Sequence, residues 1–247
     1  MTTPNNTLTL VNRHLDYNSV HLMAPTSHHF VHLAAVLDTH RFPFFIGSSR
    51  PKKQFLQQCK NWCQQLERVP NIVSAVVFKA ILLPPGSGMN SSKNNAEAFD
   101  VSVLIEVKNV EELTLLDAFQ ALKKAFEQHP YHHVVQASNA RRIGPVDHQK
   151  QGVFLFNYFK AVDLAQNLGI WEYTAGWFEE ETNLDNSTLL LPLAITTSPY
   201  SVINHCRWNH LRDILPSLIF KSSFQKYVLD NFKANQVVAQ PILYKIA

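Results

Sequence analysis

The stretch GVFLFNYFKA (152–161) is apolar on both of its alternating faces: Phe154, Phe156 and Tyr158 form one set, Leu155, Asn157 and Phe159 the other. A strand covered on one side alternates apolar with polar residues, so this pattern predicts a strand buried on both faces. Next, IWEYTAGWFEEETNL (170–184) sets Trp171, Ala175 and Phe178 at helical spacing with acids opposite, an amphipathic helix. DNS (185–187) marks a turn, TLLLPLAITT (188–197) a strand interrupted at Pro192, and YSVINHCRW (200–208) the next strand. A helical stretch then runs from about His210 to Lys233, bent or restarted near Pro216, and VVAQPILYKIA (237–247) supplies a last strand. The second half reads β-α-β-β-α-β.

The first half repeats that order with almost no residue identity. RFPFFIGSS (41–49) is its expected first strand, and PKKQFLQQCKNWCQQLERV (51–69) a helix with Phe55, Cys59, Trp62, Cys63 and Leu66 at helical spacing. NIVSAVVFKAILLPP (71–85) and FDVSVLIEV (99–107) read as strands joined by the polar loop 86–98. NVEELTLLDAFQALKKAFEQ (109–128) is a helix capped by Asn109, and YHHVVQASNARRI (131–143) closes the half. A βαββαβ run is the ferredoxin-like unit, an antiparallel sheet with both helices on one face. Its other face needs cover, and two such sheets can cover each other. The expected class is therefore α+β, two tandem ferredoxin-like (βαββαβ) units packed as a pseudo-dimeric α/β barrel. Residues 41–150 form the first unit and 151–247 the second, behind an N-terminal extension, 1–40, of unassigned role.

Composition narrows the function classes. With 46% hydrophobic and 17% charged residues in 247, the chain buries a large core and is not a disordered sequence. The net charge of +3 arises from 22 basic and 19 acidic residues spread along the chain, without the basic block a nucleic-acid partner would need. No segment reaches 18 uninterrupted apolar residues and the N-terminus lacks a leader-like pattern, so no membrane partner and a cytoplasmic location are expected. Three cysteines make no disulfide framework. Cys59 and Cys63 read as helix packing, because no Cys or His pair follows them at zinc-like spacing.

SVINHCRWNH (201–210) crowds a histidine, a cysteine, an arginine and a tryptophan together. In a strand, Val202, Asn204, Cys206 and Trp208 share one face while Ile203, His205 and Arg207 share the other. His205 therefore cannot act as base for Cys206, and the cysteine reads as a packed strand residue. SHHFVHL (27–33) sets His28 and His32 four apart, a metal-like spacing were it helical, with no carboxylate between them. Arg141 and Arg142 point to opposite faces at a strand end, where a salt bridge or an anionic ligand would take one of them. Glycine-rich phosphate cradles, HExxH and GxSxG are missing.

Trp208 at a strand end, SSF (222–224) on the following helix and Tyr244 in the last strand resemble the closing half of antibiotic-biosynthesis-monooxygenase-like domains, of the dimeric α/β-barrel superfamily. The resemblance covers about 153–247, with 41–143 similar in topology only. In cofactor-independent and haem-degrading members an Asn and a Trp line the cavity, and Asn157 and Trp208 are the matching positions. The resemblance implies a wall of Asn157, Cys206 and Trp208, with Phe224 and Tyr227 approaching from the last helix, suited to a small apolar, aromatic or quinone-like ligand. Haem-degrading members carry a histidine on that helix; LIFKSSFQKYVL (218–229) has none, and Tyr227 is the nearest ligand type. No cofactor or metal is expected. Two functions stand: a small-molecule-binding barrel without catalysis, or a cofactor-independent monooxygenase-like enzyme acting on an aromatic or polyketide-like substrate. The missing acid–base pair favours the first, as a monomer or homodimer.

Overall fold

The computed structural model of the chain describes residues 8–38, 41–42, 44–84, 98–194 and 198–247. Its strands are β1 (His29–Ala35), β2 (Arg41–Phe42), β3 (Phe45–Ile46), β4 (Ile72–Leu82), β5 (Val101–Val107), β6 (His132–Gly144), β7 (Val153–Ala161), β8 (Ser187–Pro192), β9 (Val202–Trp208) and β10 (Val237–Ile246). The helices are α1 (Arg50–Leu66), α2 (Val110–Thr114), α3 (Asp117–Glu127), α4 (Leu164–Thr182), α5 (Leu211–Phe220) and α6 (Asp230–Ala234), with a π-helix, Phe224–Leu229, running into α6.

Pairing runs β4-β5-β1-β6-β8-β9-β7-β10, and β10 pairs back onto β4, so eight antiparallel strands close into a barrel. Closure removes the sheet edges that would otherwise offer unpaired backbone to other chains. The first strand is not where the hydrophobic pattern places it. Among the described residues of 41–49, the strand pairing is that of β2 with β3, attached to β4 through Phe45 opposite Leu82. The barrel strand is β1, made from the histidine-bearing stretch upstream, and it pairs with both β5 and β6. His28 and His32 therefore lie at a strand, not on a helix.

The doubly apolar pattern of β7 has a direct cause. Phe154, Phe156 and Tyr158 point into the barrel with Phe78, Ile203 and Tyr244. Leu155 and Phe159 point outward into the clusters beneath the helices of the second half. In the first half, Phe55, Leu56, Cys59, Cys63 and Leu66 of α1 pack with Phe119, Leu122 and Phe126 of α3 over the outer faces of β1, β4 and β5. The single helix expected over 109–128 is broken at Leu115 and Leu116, whose N–H groups turn back to Glu112 and Leu113; Asn109 caps its start as expected.

Two polar anchors fix this frame. Lys52 Nζ lies 3.1 Å from the Asp100 carboxylate with both side chains 1% exposed. Asp100 also accepts the N–H groups of Leu37 (2.7 Å) and Asp38 (3.0 Å), which ties the start of α1 to the barrel rim. Removing either partner would leave an uncompensated buried charge. The second anchor holds an N-terminal arm whose residues 9–18 cross the helices of the second half before Met23 and Thr26 bond to β6. Asn235 accepts the Thr9 N–H (2.9 Å) and donates to the Thr9 carbonyl (2.8 Å). Asn231 accepts the Val11 N–H (2.9 Å) and donates to its carbonyl (3.2 Å).

Candidate functional site

Strands β7 and β9 are neighbours, with Asn157 opposite Asn204, Leu155 opposite Cys206 and Val153 opposite Trp208. Side-chain alternation sends these residues to the outer sheet face, under α4, α5 and the π-helix. Two small cavities of about 30 and 40 Å³ lie there, and Asn157, Trp208, Leu155, Phe178 and Phe232 border both. Cys206, Asn204 and Ser187 border the first, Phe224, Ile214 and Leu218 the second. Of the five residues singled out from the sequence, Asn157, Cys206 and Trp208 form one wall and Phe224 faces it from the π-helix. Tyr227 borders neither cavity. Its ring stacks on Tyr173 at 4.7 Å, its hydroxyl donates to the Tyr173 carbonyl, and Tyr17 of the arm covers it at 4.6 Å.

The hydrogen bonds sort the polar members. Trp208 Nε1–H donates to Thr182 Oγ1 at 3.0 Å, so the indole presents a flat apolar surface and no free donor. Asn204 accepts from Ser187 Oγ at 2.5 Å and its amide nitrogen approaches Cys206 Sγ at 3.9 Å. Cys206 is fully buried, and burial pushes its thiol well above the usual range, away from the thiolate a nucleophile needs. Asn157 is different. Its Oδ1 is buried without a partner, and its carboxamide hydrogen-bonds to no described residue. An unpaired buried amide oxygen costs about 1–3 kcal/mol. No acid or base lines either cavity: the wall offers the flat Trp208 indole and the Asn157 carboxamide, and Trp171 adds a second indole from α4.

Sequence reasoning missed the cover of this wall: Phe178 and Thr174 from α4, Phe232 from α6 and Ile214 from α5. The helical spacing of Phe178 was readable; which sheet face it would meet was not.

The barrel interior holds a second polar set that no local pattern revealed. His32 Nδ1 lies 2.6 Å from His133 Nε2, and His32 Nε2 lies 2.8 Å from Ser102 Oγ. His205 stacks on Phe156 at 4.2 Å, on the face opposite Cys206. Burial holds His32 and His205 well below the usual histidine range and His133 down to about 3, so all three are neutral near pH 7. Among the described residues no group of three or more His, Cys, Asp or Glu is placed to hold a metal ion. Cys59 and Cys63 are buried packing residues of α1. No helix of the described residues is long and apolar enough to cross a membrane.

No family model matches the chain, and no curated protein matches its sequence. Solved structures match its fold. An anthrone oxidase-like protein is 10% identical, with 90% of this chain and 92% of that one covered at a TM-score of 0.61. A provisionally assigned monooxygenase from Fusobacterium nucleatum is 9% identical, covering 89% and 91% at 0.56. A mutant chlorite dismutase from Candidatus Nitrospira defluvii is 8% identical, covering 91% and 93% at 0.51. At such identities the likeness is one of fold: a closed eight-stranded α+β barrel. Haem does not fit the wall described above. No histidine or tyrosine borders either cavity, and the Tyr227 hydroxyl is committed to the Tyr173 carbonyl.

Proposed function

We propose that this chain binds an uncharged, flat aromatic molecule between the outer face of β7–β9 and the helices above it, and that it works as a binding protein rather than a catalyst. The unpartnered carboxamide of Asn157 carries this reading. A phenolic or quinonoid ligand would supply the missing hydrogen bond while its ring lies against Trp208 and Phe178. Abstraction of a proton from a carbon acid needs a base, and the imidazoles stand on the opposite face of the sheet. The fold likeness to an anthrone oxidase-like protein, whose name refers to a polycyclic aromatic, supports the ligand class. In the same reading the halves are two ferredoxin-like units, supported by the matching strand orders β6-β1-β5-β4 and β10-β7-β9-β8. The first unit would then begin with β1 and not at residue 41.

Titration with a hydroxylated naphthalene or anthracene, followed by tryptophan fluorescence, tests the site. Trp208→Ala should weaken binding more than Asn157→Ala, because it removes ring area, and Asn157→Leu should cost at least about tenfold with a phenol. Equal affinity of the wild type and Asn157→Leu would remove Asn157 from the site. Turnover of such a compound by the protein with oxygen alone would reinstate the oxygenase reading.

A further inference from the structure

On the inner side of the sheet, at one mouth of the barrel, a separate cavity of about 70 Å³ gathers Arg142, His148, His205 and Thr188 over a floor that includes Phe30 and Leu104. Proton positions there follow from one carbonyl. His205 Nδ1 lies 3.0 Å from the Leu155 oxygen, which can only accept, so Nδ1 carries the proton and Nε2 of the neutral ring is bare. His148 Nε2 lies 2.9 Å from that bare nitrogen and must therefore be the donor. The remaining nitrogen of neutral His148, Nδ1, is an acceptor with no protein partner among the described residues.

Two further groups there are unpaired. Arg142 Nε is buried without a partner, and its guanidinium forms no ion pair or hydrogen bond with a described residue. Thr188, also buried, makes no side-chain hydrogen bond with a described residue. The one carboxylate on the lining, Glu106, is engaged by His28 at 2.7 Å. Around the rim, Asp147 pairs with Lys150 at 3.2 Å, and Arg207 donates to Gln151 and Asn209.

We propose that this mouth is a binding site for a short-chain carboxylate of acetate size, taken up together with one proton. The carboxylate would meet the free guanidinium of Arg142 and the Thr188 hydroxyl, and its short apolar end would face Phe30 and Leu104. The proton comes from solvent and settles on His148 Nδ1. The imidazolium keeps its Nε2–H bond to His205 and gains a charge-assisted bond to the anion. Burial, opposed by the nearby Asp147 carboxylate, holds His148 down to about 4; a further adjacent anion raises it. Affinity therefore increases as pH falls toward the range where His148 begins to be protonated.

The probe is sodium acetate, titrated calorimetrically between pH 7.5 and 5.5 in two buffers of different ionisation heat. Expected are an affinity of about millimolar, an increase of up to about tenfold per pH unit, and a heat that shifts with buffer by up to one proton. Arg142→Gln should lose at least about tenfold, Glu106→Gln should tighten binding, and Trp208→Phe, in the other site, should change nothing. His148→Gln should keep weaker binding with no pH dependence, a second readout should Arg142→Gln fail to fold. Absence of saturable acetate binding to the wild type would overturn the proposal, as would unchanged affinity in a folded Arg142→Gln.

Discussion

Asn157 and Trp208 sit on one wall but contribute unequally to stability. Asn157 carries an unpartnered buried oxygen, whereas the Trp208 N–H is satisfied and its ring fills space between sheet and helices. Asn157→Leu should therefore leave the melting temperature unchanged or raise it, by the equivalent of about 1 kcal/mol, while ligand affinity falls. A clear drop in melting temperature would mean that the carboxamide is structural. Trp208→Ala should cost about 3–5 kcal/mol, through the cavity it opens. Cys206 has neither a thiolate nor an adjacent base. Cys206→Ser should cost on the order of 1 kcal/mol and leave binding intact; a folded variant that no longer binds would contradict the packed role.

The arm, α4, the π-helix and α6 form one assembly over the wall. Asn12 donates to the Lys226 carbonyl, Tyr17 to Glu181, and the two asparagine clamps hold residues 9 and 11. Cavities of about 30 and 40 Å³ are too small for a fused aromatic, so binding requires this cover to move. Gly176 is its tightest point: a Cβ there would stand 2.0 Å from the Asn18 carbonyl oxygen. Helix propensity favours Ala over Gly by about 1 kcal/mol, but backbone cannot yield as a flexible side chain can, so the clash prevails. Gly176→Ala should displace the arm, expose residues 8–18 to proteolysis and speed ligand association. Wild-type protease resistance in that variant would show that the arm does not rest on α4 this way.

The β6–β8 and β10–β4 pairings join strands from both halves of the chain into one closed barrel, so neither half can open alone and one cooperative unfolding transition is expected. Its pH dependence follows from the interior imidazoles. Unfolded, each histidine takes up a proton near 6.5; folded, His133 resists to about 3, and His32 and His205 are likewise held down by burial. Protons thus favour the unfolded chain at acid pH. Stability should be level above about pH 7 and should fall as pH drops below 6.5, by up to about 1.4 kcal/mol per unit for each such histidine. Urea midpoints at pH 7.5, 6 and 5 check this; a flat profile would mean that the imidazoles titrate normally.

The order of elements after residue 50 was legible because periodicity is a local property: a period of two in β7 and β9, a helical period in α1 and α4. That both faces of β7 are apolar also told, without coordinates, that a second layer must cover the sheet. Three features were decided only by tertiary structure. β1 displaced 41–49 as a barrel strand because His32 looks polar in isolation and becomes a neutral core residue only when Ser102 and His133 of the neighbouring strands supply partners. Tyr227 left the wall because a π-helical turn and the arm rotate it onto Tyr173. Trp208 lost its ligand-facing donor while Asn157 kept its own, because Thr182, distant in sequence, takes the indole proton and nothing among the described residues reaches the Asn157 oxygen. Periodicity reports which side of an element is buried; which polar group finds a partner depends on residues brought together by the fold.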